Sequence, residues 1–422
     1  MQVLIKKAVI VAPGTSQHLK TRDILIRNGI IEDIAAKLDT PPNTQVVEGK
    51  NLHVSAGWVD VFANFNDPGL EYKEDLETGV AAAAAGGFTE VFIVPNTQPV
   101  IGTKAQVEYV RNKNRNAPVQ VHPMGTVSKN LEGKDLAEMM DMRNSGAIAF
   151  TDGPVPVQNA GLLLKALEYV KAFDGTVIQM PDTTSISKNG LMNESENSTR
   201  LGMQGKPALA EELMVYRDAE LCKYAGSKLH LTAVSTKGSV QMLKKVKKEV
   251  PGISCSVTPY HLTLTDDYLE SYDSNYKVNP PLRTKADVNA LVKALEEGVI
   301  DCFATHHFPH EWDSKAKEFA YTEYGIIGLE TAFGLLNKLV NGKFTLEQLI
   351  AMLSTNPRQL FNLAPVAIEK GAVANLTIFD PATEWTFEKK NIRSRSQNTP
   401  FTGATLKGKV IGIYNNKQLI LN

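Results

Sequence analysis

Three histidines in the run Ala304-Thr305-His306-His307-Phe308-Pro309-His310, a fourth at His261 and a carboxylate at Asp152 are the side chains with most scope for chemistry. Imidazole and carboxylate are ligands that zinc prefers. A histidine near its ordinary pKa also moves protons at neutral pH. If His306, His310, His261 and Asp152 meet, they supply the donors for one zinc ion, with His306 as general base. The competing reading is an ordinary polar lining. Side chains alternate along a strand, so His307 is expected to point away from His306. The three cysteines, Cys222, Cys255 and Cys302, have no metal-type spacing.

These residues need elements to position them. The stretch Gly57-Trp58-Val59-Asp60-Val61-Phe62-Ala63-Asn64-Phe65-Asn66-Asp67-Pro68-Gly69 reads as a buried strand closed by a turn. A helix through Ala85 follows, which opens a parallel α/β fold. Further strands are expected at 90–94, 119–126, 147–151, 176–179, 229–234, 254–257 and 301–305, making eight with the first. Helices are expected between them, among them 104–111, 136–145, 162–173 and 208–225, with 328–340 and 346–353 after the last strand. Thr345 and Gln348 stand at capping-box spacing before the last of these. Alternation of this kind fits a (β/α)8 barrel, where chemistry sits on the loops after the strands. Residues 1–54 and 368–422 are instead rich in short strands, with a hairpin turn at Asn28-Gly29. The expected fold class is α/β: a (β/α)8 TIM-like barrel over 55–367 and a small β-sandwich built from both termini.

The chain has 422 residues, 43% of them hydrophobic, and 45 basic against 46 acidic side chains. That balance offers no footprint for nucleic acid or a charged membrane surface. Without a signal peptide, a long apolar stretch or a Cys-x-x-Cys, a cytoplasmic protein is expected.

Several segments, in order, carry a resemblance to one family. They include Val94-Pro95-Asn96-Thr97, Phe150-Thr151-Asp152-Gly153, Tyr276-Lys277-Val278-Asn279-Pro280-Pro281-Leu282-Arg283, Tyr324-Gly325-Ile326-Ile327-Gly328-Leu329-Glu330 and Arg393-Ser394-Arg395-Ser396-Gln397-Asn398-Thr399-Pro400-Phe401. Together with the first strand they resemble the bacterial-type dihydroorotases of the amidohydrolase superfamily. The resemblance implies pyrimidine biosynthesis and a binuclear zinc site that opens or closes a cyclic amide. It implies ligands at Phe62, Asn64, Asp152, Gln179, Ala233 and His306, where the family has histidines and aspartates. Phe62 and Ala233 offer no donor, and Asn64 and Gln179 only neutral amide oxygens, which zinc does not favour.

No cofactor is therefore expected, with one zinc ion as the alternative. For substrate, the resemblance implies Asn96 and His310, with Asn66 where the family has arginine; Asn279 also matches. Asn66 cannot replace a bidentate guanidinium, so dihydroorotate or carbamoyl aspartate is expected to bind weakly. The family includes chains without metal ligands that act as structural partners of aspartate carbamoyltransferase, and this chain resembles those. A homodimer is implied by the same resemblance. The alternatives are an active cyclic-amide hydrolase with a rebuilt mononuclear site, and a ligand-binding regulator.

Overall fold

Gly57 sits at the seam between two layers. Its amide donates to the Asn375 carbonyl at 3.0 Å, and its carbonyl accepts from Ser354 Oγ at 2.9 Å and Arg358 Nη2 at 3.1 Å. A Cβ here would lie 1.9 Å from Asn375 Oδ1 and 2.1 Å from Thr89 Oγ1, so no other residue fits without a shift. Just before it runs the strand His53–Ala56 of a terminal sheet, and just after it Trp58–Ala63 opens a barrel. The structure is a computed structural model describing residues 1–422.

The terminal sheet has eight strands. Five come from the N-terminus, Gln2–Val11, Thr21–Arg27, Ile30–Ala35, Gln45–Val47 and His53–Ala56. Three come from the C-terminus, Leu376–Thr386, Thr405–Asn415 and Gln418–Leu421. The two ends join where His53–Ala56 pairs antiparallel with Leu376–Phe379. Segments that read as two strands, 3–5 and 8–11, form one, with a register shift between Ile5 and Ala8 where Lys7 adopts a φ of 51°. Asn28 and Gly29 both have positive φ, as the hairpin turn between the second and third strands requires. One face of the sheet holds its own core, including Val3, Ile24, Val54 and Leu376. The other sends Phe379, Val410 and Ile413 into the main core, where Trp58 meets Phe379 and Phe333 at ring distances of 5.4 and 4.9 Å.

The barrel strands after Trp58–Ala63 are Phe88–Ile93, Gln120–Pro123, residues 147–151, Thr176–Gln179, Lys228–Leu231, Ile253–Val257 and Cys302–Phe303. The fourth is an irregular strand, bridged only through Phe150 to Gly125 and Val177. Two helices are shorter than the pattern implies. The helix expected at 136–145 starts at Met139, because Leu136 bridges to Ser128. The helix expected at 328–340 is Ala332–Leu336 followed by a 3₁₀ turn, because the Gly328 amide is held by His307 Nδ1 at 3.2 Å. Thr345 and Gln348 form the capping box of Leu346–Leu353. No helix is long and apolar enough to cross a membrane.

The barrel closes through Asp60. Its carboxylate accepts from the Thr305 amide at 2.7 Å and Thr305 Oγ1 at 2.6 Å, tying the first strand to the end of the eighth. Burial pushes its pKa up to about 6 despite those hydrogen bonds. The native state thus binds this proton more tightly than the unfolded chain, and the carboxylate costs stability as pH rises from about 4 to 6. Asp60→Asn cannot titrate. Its stability relative to the parent is expected to rise across that window by up to about 3 kcal/mol, at about 1.4 kcal/mol per pH unit, and then level off. Urea unfolding at a series of pH values measures this; a difference that stays constant with pH would refute it.

Candidate site at the barrel mouth

Phe62, at the C-terminal end of the first strand, lies flat on the His306 ring, with centroids 4.2 Å apart and planes 14° from parallel. His306 Nε2 is 2.8 Å from Thr232 Oγ1, which is 3.0 Å from Ser256 Oγ. Ser256 in turn lies 2.9 Å from His230 Nε2, and His230 Nδ1 is 2.8 Å from Ser254 Oγ. A chain of neutral hydrogen bonds thus crosses the sixth and seventh strands beneath Phe62. Burial pushes both His306 and His230 down to about 3, so each imidazole is uncharged at neutral pH.

The other positions where the resemblance implies ligands are committed to their neighbours. Asn64 donates to the His307 carbonyl at 3.3 Å. Gln179 Oε1 accepts from the Val157 amide and its Nε2 donates to the Val157 carbonyl, both at 3.2 Å, which clamps the loop after the fourth strand. Asp152 Oδ1 accepts from the amides of Val127 and Ser128 at 2.9 Å, and its Oδ2 from the Ser128 hydroxyl. Burial raises its pKa against those hydrogen bonds. Ala233 is a buried methyl with a φ of 54°.

The remaining histidines are also engaged. His261 Nδ1 is 2.8 Å from Thr258 Oγ1 and its Nε2 3.0 Å from the Pro280 carbonyl. His310 Nε2 is 3.0 Å from the Tyr324 carbonyl and its Nδ1 3.4 Å from Lys73 Nζ. Burial pushes His261 down to about 4 and His310 to about 3. His307 points away from His306, with its Nε2 3.3 Å from Glu74 Oε2. No three His, Cys, Asp or Glu side chains come together in a way that could hold a metal ion. His306, His310, His261 and Asp152 therefore do not form one ligand set, and the residues present do not fit the family's pair of zinc ions. All three cysteines are buried and unpaired.

Of the residues expected to hold substrate, Asn96 donates to the Asp152 carbonyl at 3.2 Å, while its Oδ1 is buried without a partner. Asn66 Nδ2 is likewise buried and unpartnered. Asn279 accepts from Lys206 Nζ at 2.9 Å and borders a cavity of about 210 Å³ above Phe62 and His306. His310 borders a different cavity, on the far side of the Tyr324–Gly325 segment. The structure thus does not gather Asn96, Asn279 and His310 around one space.

Three contributions escape sequence reasoning. The hydroxyls of Thr232, Ser254 and Ser256 complete the buried chain; His230 and Thr232, like Ser254 and Ser256, stand two apart, so period-two alternation could have flagged them. Lys277 Nζ donates to the carbonyls of Phe319 at 2.7 Å and Thr322 at 2.6 Å, and Lys315 Nζ to that of Glu323 at 2.8 Å. Burial lowers these amines to about 8 and about 7. They pin the loop after the eighth strand from within. Finally, the segment 393–401 straps the mouth. Glu330 Oε1 accepts from the amides of Arg393 and Ser394 at 3.0 and 3.1 Å. Asn398 accepts from the His310 amide at 3.0 Å and donates to the Phe308 carbonyl at 2.9 Å. No local pattern announces contacts of that range.

A family model described as dihydro-orotase-like matches residues 52–239. The dihydroorotase of Geobacter sp. (strain M21) is 39% identical over 415 residues, 97% of each chain. That of Syntrophus aciditrophicus (strain SB) is 40% identical over the same length and the same shares. Among solved structures, L-hydantoinase (dihydropyrimidinase) from Arthrobacter aurescens matches with a TM-score of 0.85 at 23% identity, over 100% of this chain and 96% of that one. D-hydantoinase (dihydropyrimidinase) from Thermus sp. gives 0.84 at 21%, over 100% and 95%. Those structures share the amidohydrolase barrel fold, and the near-full-length identity to the curated relatives shows that the chain belongs to the dihydroorotase family.

Proposed function

We propose that this chain is a catalytically silent member of the family, serving pyrimidine biosynthesis as a structural partner of aspartate carbamoyltransferase. The observation that carries the reading is the stack of Phe62 on His306, an apolar contact in the place where the resemblance puts metal ligands. Asn64, Gln179 and Asp152 are spent on backbone groups. The alternative, a cyclic-amide hydrolase with one zinc ion, needs His306, His310, His261 and Asp152 to converge, and each is engaged elsewhere. Without a metal-activated water, a neutral His306 has no nucleophile strong enough for a cyclic amide. The relatives named dihydroorotase support the link to pyrimidine synthesis, and a cytoplasmic homodimer is part of the same proposal.

Support for an assembly role comes from the helix Ala208–Ala225. Leu209, Leu213, Tyr216 and Tyr224 lie on one face of it and are 52%, 45%, 56% and 79% exposed. Leu209, Leu213 and Tyr216 are neighbours at helical spacing, while Glu220 separates them from Tyr224, and clustered exposed apolar residues with tyrosine among them mark interaction surfaces. This face is the candidate contact surface within the proposal.

Protein purified from zinc-supplemented cells is expected to carry less than ~0.1 zinc per chain and to leave dihydroorotate unchanged. The variant Phe62→His, Asn64→His, Gln179→His, Ala233→His, His306→Asp is expected to take up about one zinc or more. About one zinc on the parent chain, lost on His306→Ala, together with turnover, would sink the proposal.

Co-expression with the carbamoyltransferase of the same organism is expected to give a complex on size exclusion. Leu213→Glu with Tyr216→Glu should weaken it by at least about tenfold, as for a buried interface anchor, while the melting temperature stays close to the parent's. A chain that never associates would remove the partner from the proposal.

A further inference from the structure

The cavity above Phe62 and His306 has a chemistry of its own, independent of the partner reading. Its floor is a pair of stacked rings. Its walls are largely apolar, with Met180, Val155, Val278 and Phe308 among them. No lysine or arginine lines it, whereas the Glu323 carboxylate stands at its rim. The nearby Lys206 amine is held by Asn279 Oδ1 at 2.9 Å and lies 5.2 Å from the centre of the Tyr324 ring. Lys206 is also 3.6 Å from Asp182 Oδ2, so an anionic ligand would meet Glu323 and no cation in the lining. A space of about 210 Å³ suits a single ring; a dry apolar cavity of about 150 Å³ accepts benzene.

One polar atom breaks the apolar floor. His306 Nε2 is committed to Thr232, whereas its Nδ1 makes no hydrogen bond within the protein, and the residue lines the cavity. The hydroxyl chain through Thr232 and Ser256 holds the ring in place behind it. The geometry points to a binding site for an uncharged aromatic ring bearing one hydrogen-bonding group, laid against Phe62 and anchored on His306 Nδ1. Such a site inverts the recognition implied by the resemblance, which is of an anion beside two cations.

Phenol and benzoate, which differ by a hydroxyl against a carboxylate on the same ring, are the probes. Ligand-observed NMR titrations in EDTA, so that no metal on His306 contributes, are expected to show saturable phenol binding at least about tenfold tighter than benzoate. Met180→Trp, which fills the cavity, should abolish it. His306→Phe, which keeps the stack and removes the nitrogen, should weaken phenol by about tenfold, one hydrogen bond's worth. Both variants are checked for an unchanged fold by circular dichroism, and Val155→Trp serves as a second filler if Met180→Trp fails to fold. No saturation by phenol up to ~10 mM would overturn the proposal. So would benzoate binding as tightly as phenol, binding that survives both fillers, or phenol affinity unchanged in His306→Phe.

Discussion

Every polar group inside a closed barrel needs a partner within the barrel, because water does not reach it and an unpaired group there is costly. In this chain that constraint falls on His306, His230 and Asp60, which are buried at the centre of the strands. His306 and His230 are kept neutral and linked through two hydroxyls, those of Thr232 and Ser256, and Asp60 is paired with Thr305. Phe62 then covers one face of the His306 imidazole by stacking on it. The arrangement is self-sufficient. It fills, with side chains and neutral hydrogen bonds, the centre that a pair of metal ions would otherwise organise.

Around that centre the mouth is built twice over. The loop after the eighth strand is stapled from inside by Lys277 and Lys315, whose amines reach only backbone carbonyls. From outside it is held by the strap 393–401, through Asn398 and the carboxylates of Glu330 and Glu74. Burial lowers both lysines' affinity for protons, yet each satisfies two or three carbonyls that the loop would otherwise leave bare. The loop held this way supplies Phe308, Tyr324 and Gly325 to the wall of the cavity above Phe62.

Much of this is legible from the chain alone, for definable reasons. Eight apolar runs alternating with helical stretches declare a barrel, and Asn28-Gly29 declares its hairpin through a backbone conformation few other residues accept. The altered ligand positions can be read because phenylalanine and alanine lack donor atoms in any fold. His306 and His307 do take different partners, Thr232 and Glu74, but beyond the strand's end at Phe303 and with a φ of 45° at His306, so alternation is not the cause. What is not legible depends on register and distance. The pairing of His230 with Ser254 across neighbouring strands, the turn of Asp152 onto Ser128, and the reach of Asn398 to Phe308 are set by how separate segments meet. Likewise, the separation of His310 from Asn279 follows from the path of the Tyr324–Gly325 segment, which sequence spacing does not encode.

The terminal sheet carries one more consequence, for the chain's birth on the ribosome. The strand His53–Ala56 finds its antiparallel neighbour only in Leu376–Phe379, after the whole barrel has been made. At about 5–20 residues per second, that neighbour emerges some tens of seconds later. Meanwhile the edge of His53–Ala56, and the face of Trp58 that meets Phe379, lie open beside the nascent barrel. An unpaired edge is a template for other chains. The last fifty or so residues thus act as a covalent clasp, and a polypeptide cut short before Leu376 would leave the ribosome with that edge uncovered.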